Sequence, residues 1–168
     1  MAYHLVHEHF AYLGRAGREQ NGTIVKTMGD AVMAVISDPT DAVHSALSVQ
    51  EGVQEFNRNS GSEDIVIKVG LHGGSCVAVT LNEQLDYFGT TINMAAQLQA
   101  LSIDGDIVLS TWMVADPGVR EILEPFQLEI ESQLIPGFDD PVTVHRLSAE
   151  TLTAKTPAYG AGRANDER

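Results

Sequence analysis

The chain has 168 residues, with 10 Lys and Arg against 23 Asp and Glu, a formal net charge of −13. That length suits one domain with its own core, and 43% hydrophobic with 20% charged residues describes a globular chain rather than a disordered one. The acidic balance excludes a duplex nucleic-acid binder and a domain held to anionic lipid by charge, and the lone Cys76 excludes an internal disulfide or a cysteine metal cluster.

An anionic small substrate stays open, because a bound metal inverts the local field. No run of about 18 apolar residues is present, so no membrane insertion is expected. The opening ten residues lack the basic-then-apolar order of a signal peptide, which makes a cytoplasmic location the expectation.

In chain order, residues 2–18 place Leu5, Val6, Phe10 and Leu13 at helical spacing, with no N-cap ahead of them. Asn21-Gly22 marks a turn, and residues 23–27 and 31–36 read as two strands joined through Met28-Gly29-Asp30, a hairpin in which Gly29 can take a positive φ. Asp38-Pro39 is a helix start, an N-cap followed by proline at the first helical position. Ala42, Ala46, Val49, Val53 and Phe56 continue it as one apolar stripe, ended by residues 57–61.

Residues 65–71 alternate as a strand, His72-Gly73-Gly74 reads as a turn, and residues 76–81 return as the next strand. A polar loop over 82–84 and Asp86-Tyr87-Phe88-Gly89 lead into a helix over 90–101, with Met94, Leu98 and Leu101 on one face. Asp104-Gly105 turns into a strand over 107–109, a broken helix spans 112–123, and strands over 126–134 and 142–147 close the pattern. From Ser148 the apolar periodicity fades, which predicts a domain over 1–147 and a flexible tail over 148–168. The order is α+β, an antiparallel-rich sheet with helices packed on it.

Four places offer chemistry. Asp30, after Gly29 at a hairpin tip, presents a carboxylate suited to a hard cation, although turn-stabilising Asp is common. Asn93 and Gln97 are four apart on one helix face, off the apolar stripe, a spacing shared by ordinary solvated amides. His4 and His7 have a ligand-like spacing but no converging set around them. His72-Gly73-Gly74 has the composition of a loop that lets another group approach its backbone, or of a plain hairpin turn. No nucleophile elbow, Walker loop or dinucleotide fingerprint is present.

Taken together, residues 22–30 (Gly-Thr-Ile-Val-Lys-Thr-Met-Gly-Asp), the Asp38-Pro39 helix, residues 69–74 (Val-Gly-Leu-His-Gly-Gly) and residues 85–96 (Leu-Asp-Tyr-Phe-Gly-Thr-Thr-Ile-Asn-Met-Ala-Ala) closely resemble class III adenylate/guanylate cyclase catalytic domains. Gly137-Phe138, Pro141-Val142 and Arg146-Leu147 resemble the family's closing strand, so the resemblance runs from about residue 2 to about residue 147. It implies the palm-type, ferredoxin-like cyclase fold and conversion of ATP to 3′,5′-cyclic AMP and pyrophosphate. It also implies two divalent ions, Mg2+ or Mn2+, and a site shared by two domains placed head to tail, as a homodimer or with another cyclase domain.

Residue by residue, the resemblance makes Asp30 one of two metal-binding aspartates, Lys26 and Asp86 the pair that selects adenine, and Asn93 the residue that orients the ribose. A lysine donates to a ring nitrogen and a carboxylate accepts from the exocyclic amine, a pattern that guanine reverses. Three departures accompany it. The strand carrying the first metal aspartate is expected ahead of the opening helix and is missing from the sequence. Gln97 stands where the family has the arginine that stabilises the transition state, and Pro136 where it has a lysine just before Gly137. The expectation is an isolated chain of weak or no activity, or a non-catalytic nucleotide-binding or dimerisation module that pairs with an intact cyclase domain.

Overall fold

The computed structural model describes residues 23–28, 31–60, 65–81 and 84–154. The elements are β1 (Thr23–Met28), β2 (Ala31–Val35), α1 (Pro39–Ser60), β3 (Val69–Leu71), β4 (Val77–Leu81), β5 (Gln84–Phe88), α2 (Thr90–Leu101) and β6 (Ile107–Ser110), followed by α3 (Thr111–Ala115), α4 (Pro117–Leu123), β7 (Glu129–Gln133), β8 (Val142–Leu147) and α5 (Ala149–Ala154). The main sheet has the order β3-β6-β8-β7, with β3 parallel to β6 and the other pairs antiparallel. Two hairpins stand beside it, β1-β2 and β4-β5.

The core lies on both faces of this sheet. Ile107 and Leu109 point to one face, where they meet Val43 and Ala46 of α1 together with Met113, Val119, Leu123 and Leu147. Val108, between them, points to the other face and meets Met94 and Leu98 of α2 and Val144 of β8. β6 is therefore buried on both sides, which is why its sequence is a continuous apolar run rather than an alternation. Gly70 of β3 lies under α2: a Cβ there would stand 2.6 Å from the Ala95 carbonyl oxygen and closer still to the Gln99 amide. Only glycine lets the helix backbone come that near.

Capping follows the sequence signals. The Asp38 carboxylate accepts from the Thr40 amide at 2.8 Å and from the Thr40 hydroxyl at 2.5 Å, contacts that hold its pKa below the usual carboxylate value. The broken helix divides at Asp116, which ends α3 and caps α4 by accepting from the Val119 amide at 3.0 Å. Asp106, Arg146 and Glu131 form a largely buried ion network. Arg146 donates to Asp106, to Glu131 Oε1 at 2.7 Å and to the Leu101 carbonyl at 3.1 Å, joining β8, β7, the end of α2 and the loop before β6.

Three local expectations change. The strand expected over 65–71 is paired only from Val69, and the backbone before it is held by α1 side chains: Gln50 donates to the Ile67 carbonyl and Asn57 bonds both backbone groups of Ile65. β3 pairs with β6 rather than with the strand after His72, and that strand pairs instead with Asp86-Tyr87-Phe88, which is β5 rather than a lead-in loop. Local alternation records which residues are extended but not which edge finds which partner. Finally, residues 149–154, placed in the tail by fading periodicity, form α5 and bury Leu152 to 6% exposure against the α1 face of the core. One apolar side chain suffices to dock so short a helix, and a single residue has no period. Among the described residues no helix is long and apolar enough to cross a membrane.

Candidate active site

Asp86 sits on β5 opposite Val79 of β4, half-buried, with its carboxylate accepting from the Tyr87 amide at 2.8 Å. β1, which carries Lys26 opposite Met33, lies against β5. The two strands that bear the expected base-reading pair are thus neighbours. Immediately after β5, Gly89 takes a φ of +134°, a conformation that an L side chain resists, and starts α2 by accepting from the Asn93 amide at 3.3 Å. Thr91 fastens the same turn by donating to the Ser75 carbonyl at 2.5 Å.

Asn93 is exposed and Gln97, one turn later, is half-buried. Both lie off the stripe of α2 that carries the core residues Met94 and Leu98, flanking it. Pro136 is exposed in the turn between β7 and β8, where Phe138 donates to the Ile135 carbonyl and Gly137 has a φ of +90°. Asp30, His4 and His7 lie outside the described residues. Among the described residues no three His, Cys, Asp or Glu side chains converge as a metal site.

The His72-Gly73-Gly74 loop does admit a close approach, by the protein itself. The Trp112 ring lies on Gly73 so tightly that a Cβ there would fall inside it. His72 Nδ1 is 2.8 Å from the Ser110 hydroxyl, and burial pushes the imidazole below its ordinary pKa, so the ring is neutral near pH 7.

A cleft of about 620 Å³ opens between β2 and the segment around β3, walled also by α1 and α2. Asp86, Asn93 and Gln97 do not line it. The sequence reading did not anticipate this cleft. Its signals are the Gly70 break in an apolar strand and the small residues Ala42, Ala46, Ala95 and Ala96 on the flanking helices.

A family model described as the adenylate and guanylate cyclase catalytic domain matches residues 1–131. The chain belongs to this family. As a cyclase domain it is 28% identical over 165 residues to an adenylate cyclase of Anabaena cylindrica, a match covering 88% of this chain and 32% of that protein. It is 31% identical over 125 residues to adenylate cyclase 1 of Rhizobium meliloti, covering 66% of this chain and 19% of that protein. The cyclase domain thus spans a third or less of the length of these relatives.

Among solved structures, the adenylyl cyclase CyaB from P. aeruginosa superposes with a TM-score of 0.70 at 19% identity, covering 87% of this chain and 81% of that one. The guanylate cyclase domain of RhGC from Catenaria anguillulae, in complex with GTP, gives a TM-score of 0.70 at 20% identity, covering 84% and 80%. These structures show that the fold of the present domain, with its antiparallel-rich sheet between helices, is the cyclase fold.

Proposed function

We propose that the domain is of the adenylate cyclase type, converting ATP to 3′,5′-cyclic AMP and pyrophosphate, with low turnover as an isolated chain. The observation that carries the choice of ATP is the placement of the Lys26 strand against the Asp86 strand. An ammonium that donates to a ring nitrogen beside a carboxylate that accepts from an exocyclic amine matches adenine and mismatches guanine. Asn93, exposed at the start of the next helix, is the residue proposed to orient the ribose.

Low turnover follows from Gln97 and Pro136. A carboxamide carries no charge and no guanidinium fork, and proline has no side-chain donor, so two cationic contacts to the triphosphate are replaced by neutral groups. Losing one preorganised donor of this kind costs about 10²–10³ in rate. Bound Mg2+ or Mn2+ supplies neutralisation of the phosphates and activation of the ribose 3′-oxygen, and Asp30 is the residue proposed to hold it.

Asp86 on β5 and Asn93 and Gln97 on α2 lie outside the cleft, which supports a site completed by a second domain placed head to tail. The assay is cyclic nucleotide production by the purified chain with Mn2+ and either ATP or GTP. Slow cyclic AMP formation, raised by about 10² in Gln97→Arg, is expected. Cyclic GMP as the main product would reject the assignment of ATP, and turnover that Gln97→Arg does not raise would reject the role given to that position.

A second reading is a pairing module that lends Lys26, Asp86 and Asn93 to an intact cyclase domain. The retention of these three beside Gln97 and Pro136 favours it. Mixing the chain with an intact cyclase domain, and finding neither a complex nor a change in activity, would reject it.

A further inference from the structure

β7 is an edge of the main sheet: β8 pairs with it on one side, and no described strand lies on the other. Its side chains divide by face. Ile130 stands opposite His145 and Ser132 opposite Thr143, on the face that carries Leu109. Glu131 stands opposite Val144, on the face that carries Val108, and Ile135 joins the core there. Exposure alternates accordingly, and Leu134 continues the outer row of Ile130 and Ser132. Ile130 is 69% exposed and Leu134 75%, the two most exposed large apolar side chains among the described residues.

Sheet edges are commonly guarded by lysine, proline, a bulge or an inward charge. Residues 129–134 hold no Lys or Pro, the register with β8 is unbroken, and the charge of Glu131 is paired with Arg146 at 2.7 Å. The order of residues then selects a partner. Two copies of β7 running antiparallel about a two-fold axis keep like faces together only when a residue sits on that axis. Centring on Ile130 sets Glu129 against the partner's Glu131, and centring on Glu131 sets two glutamates together, both unfavourable. Centring on Gln133 leaves Leu134 against the partner's Ser132. Centring on Ser132 sets Ile130 against the partner's Leu134, Leu134 against the partner's Ile130, and each Glu131 against a glutamine. A primary amide has two N–H donors, so Gln133, which donates to its own Glu131 at 2.7 Å, has a second for the partner's Glu131.

We propose that β7 is a self-pairing edge: a second copy of this chain adds its own β7 antiparallel, centred on Ser132, and joins two main sheets into one. The ladder runs over residues 130–134 of each copy. It gathers Ile130 and Leu134 of both copies into one apolar cluster on a single face. This contact is separate from the head-to-tail pairing proposed for the candidate site, because Asp86, Asn93 and Gln97 lie on β5 and α2, neither of which is a strand of the main sheet. Used together, the two contacts link chains beyond the dimer.

The register is read by cross-linking single cysteines in full chains that also carry Cys76→Ser. Opposed residues of an antiparallel pair have Cα atoms about 4.5–5.5 Å apart, within disulfide reach, whereas residues four positions out of register are about 13 Å apart. On mild oxidation Ser132→Cys should form a covalent dimer at least about tenfold faster than Arg58→Cys, an exposed position on α1 that sets the collisional rate. Ile130→Cys alone should not, whereas Ile130→Cys mixed with Leu134→Cys should. Adding Leu134→Lys to Ser132→Cys, which puts an ammonium into the apolar pair, should slow the reaction about tenfold. Without any cysteine substitution at β7, hydrogen exchange over residues 130–134 should slow as protein concentration rises.

Ser132→Cys reacting no faster than Arg58→Cys is what head-to-tail pairing alone would give. Ile130→Cys alone reacting as fast as the mixture would show another register, and a rate unmoved by Leu134→Lys would show that the apolar pairs do not hold the contact. Exchange over 130–134 already slow at the lowest concentration would show the edge covered by another part of the same chain. Each of these results would overturn the proposal.

Discussion

Arg146 is 7% exposed and answers to two carboxylates and a helix-end carbonyl at once. Removing it leaves Asp106, itself 2% exposed, charged without a cationic partner. Arg146→Ala should therefore lose about 3–5 kcal/mol of stability in urea unfolding. Glu131 is linked to the same guanidinium, which holds its carboxyl below the ordinary 4.5. Because the unfolded chain takes up that proton first on acidification, this stabilisation is present above pH 4.5 and is lost as pH falls through the lowered native value.

His72 adds a loss of the same sign at higher pH. Its native pKa lies below 6.5, so stability falls as pH drops below 6.5. His72→Asn should flatten the urea midpoint between pH 7.5 and 5.5 relative to the parent, leaving the contribution of His145, which burial lowers in the same way. A midpoint as steep in the variant would show that His72 is not the titrating group. The sequence marked His72 by its neighbouring glycines but could not pair it with Ser110, nor Arg146 with Asp106. Those partners are 38 and 40 positions away, and nothing local signals them.

Elements built from neighbouring residues were legible. The β1-β2 hairpin, the Asp38-Pro39 start of α1 and the alternation of β8 all follow from turn chemistry and period. The partner of β3 was not, because it is chosen by a helix crossing. α2 rests its backbone on Gly70, which brings β3 beside β6 and leaves β4 to pair with β5. Gly70→Ala should push α2 outward, at a cost of about 1–3 kcal/mol by chemical denaturation. The same substitution should carry Asn93 and Gln97 with the helix. Among the candidate site residues, these two were legible only as an amide pair four apart, while Lys26 and Asp86 lie 60 positions apart in sequence on strands that tertiary packing makes neighbours.

At the scale of the whole molecule, the core closes through its last described helix. Leu152→Ala should cost about 2–5 kcal/mol, measured as a shift of the urea midpoint, whereas the exposed Thr153 on the next position should tolerate alanine with little change. If the site is completed by a second domain, specific activity should rise with protein concentration until pairing saturates; a flat profile over the micromolar range would argue for a self-sufficient chain. The chain has a single tryptophan, and that indole lies on Gly73 at the wall of the cleft, half open to solvent. Its emission therefore has one source and one address. Any movement of the 72–76 loop relative to the start of α3 is written into the intensity and colour of that fluorescence, without a label or an added chromophore.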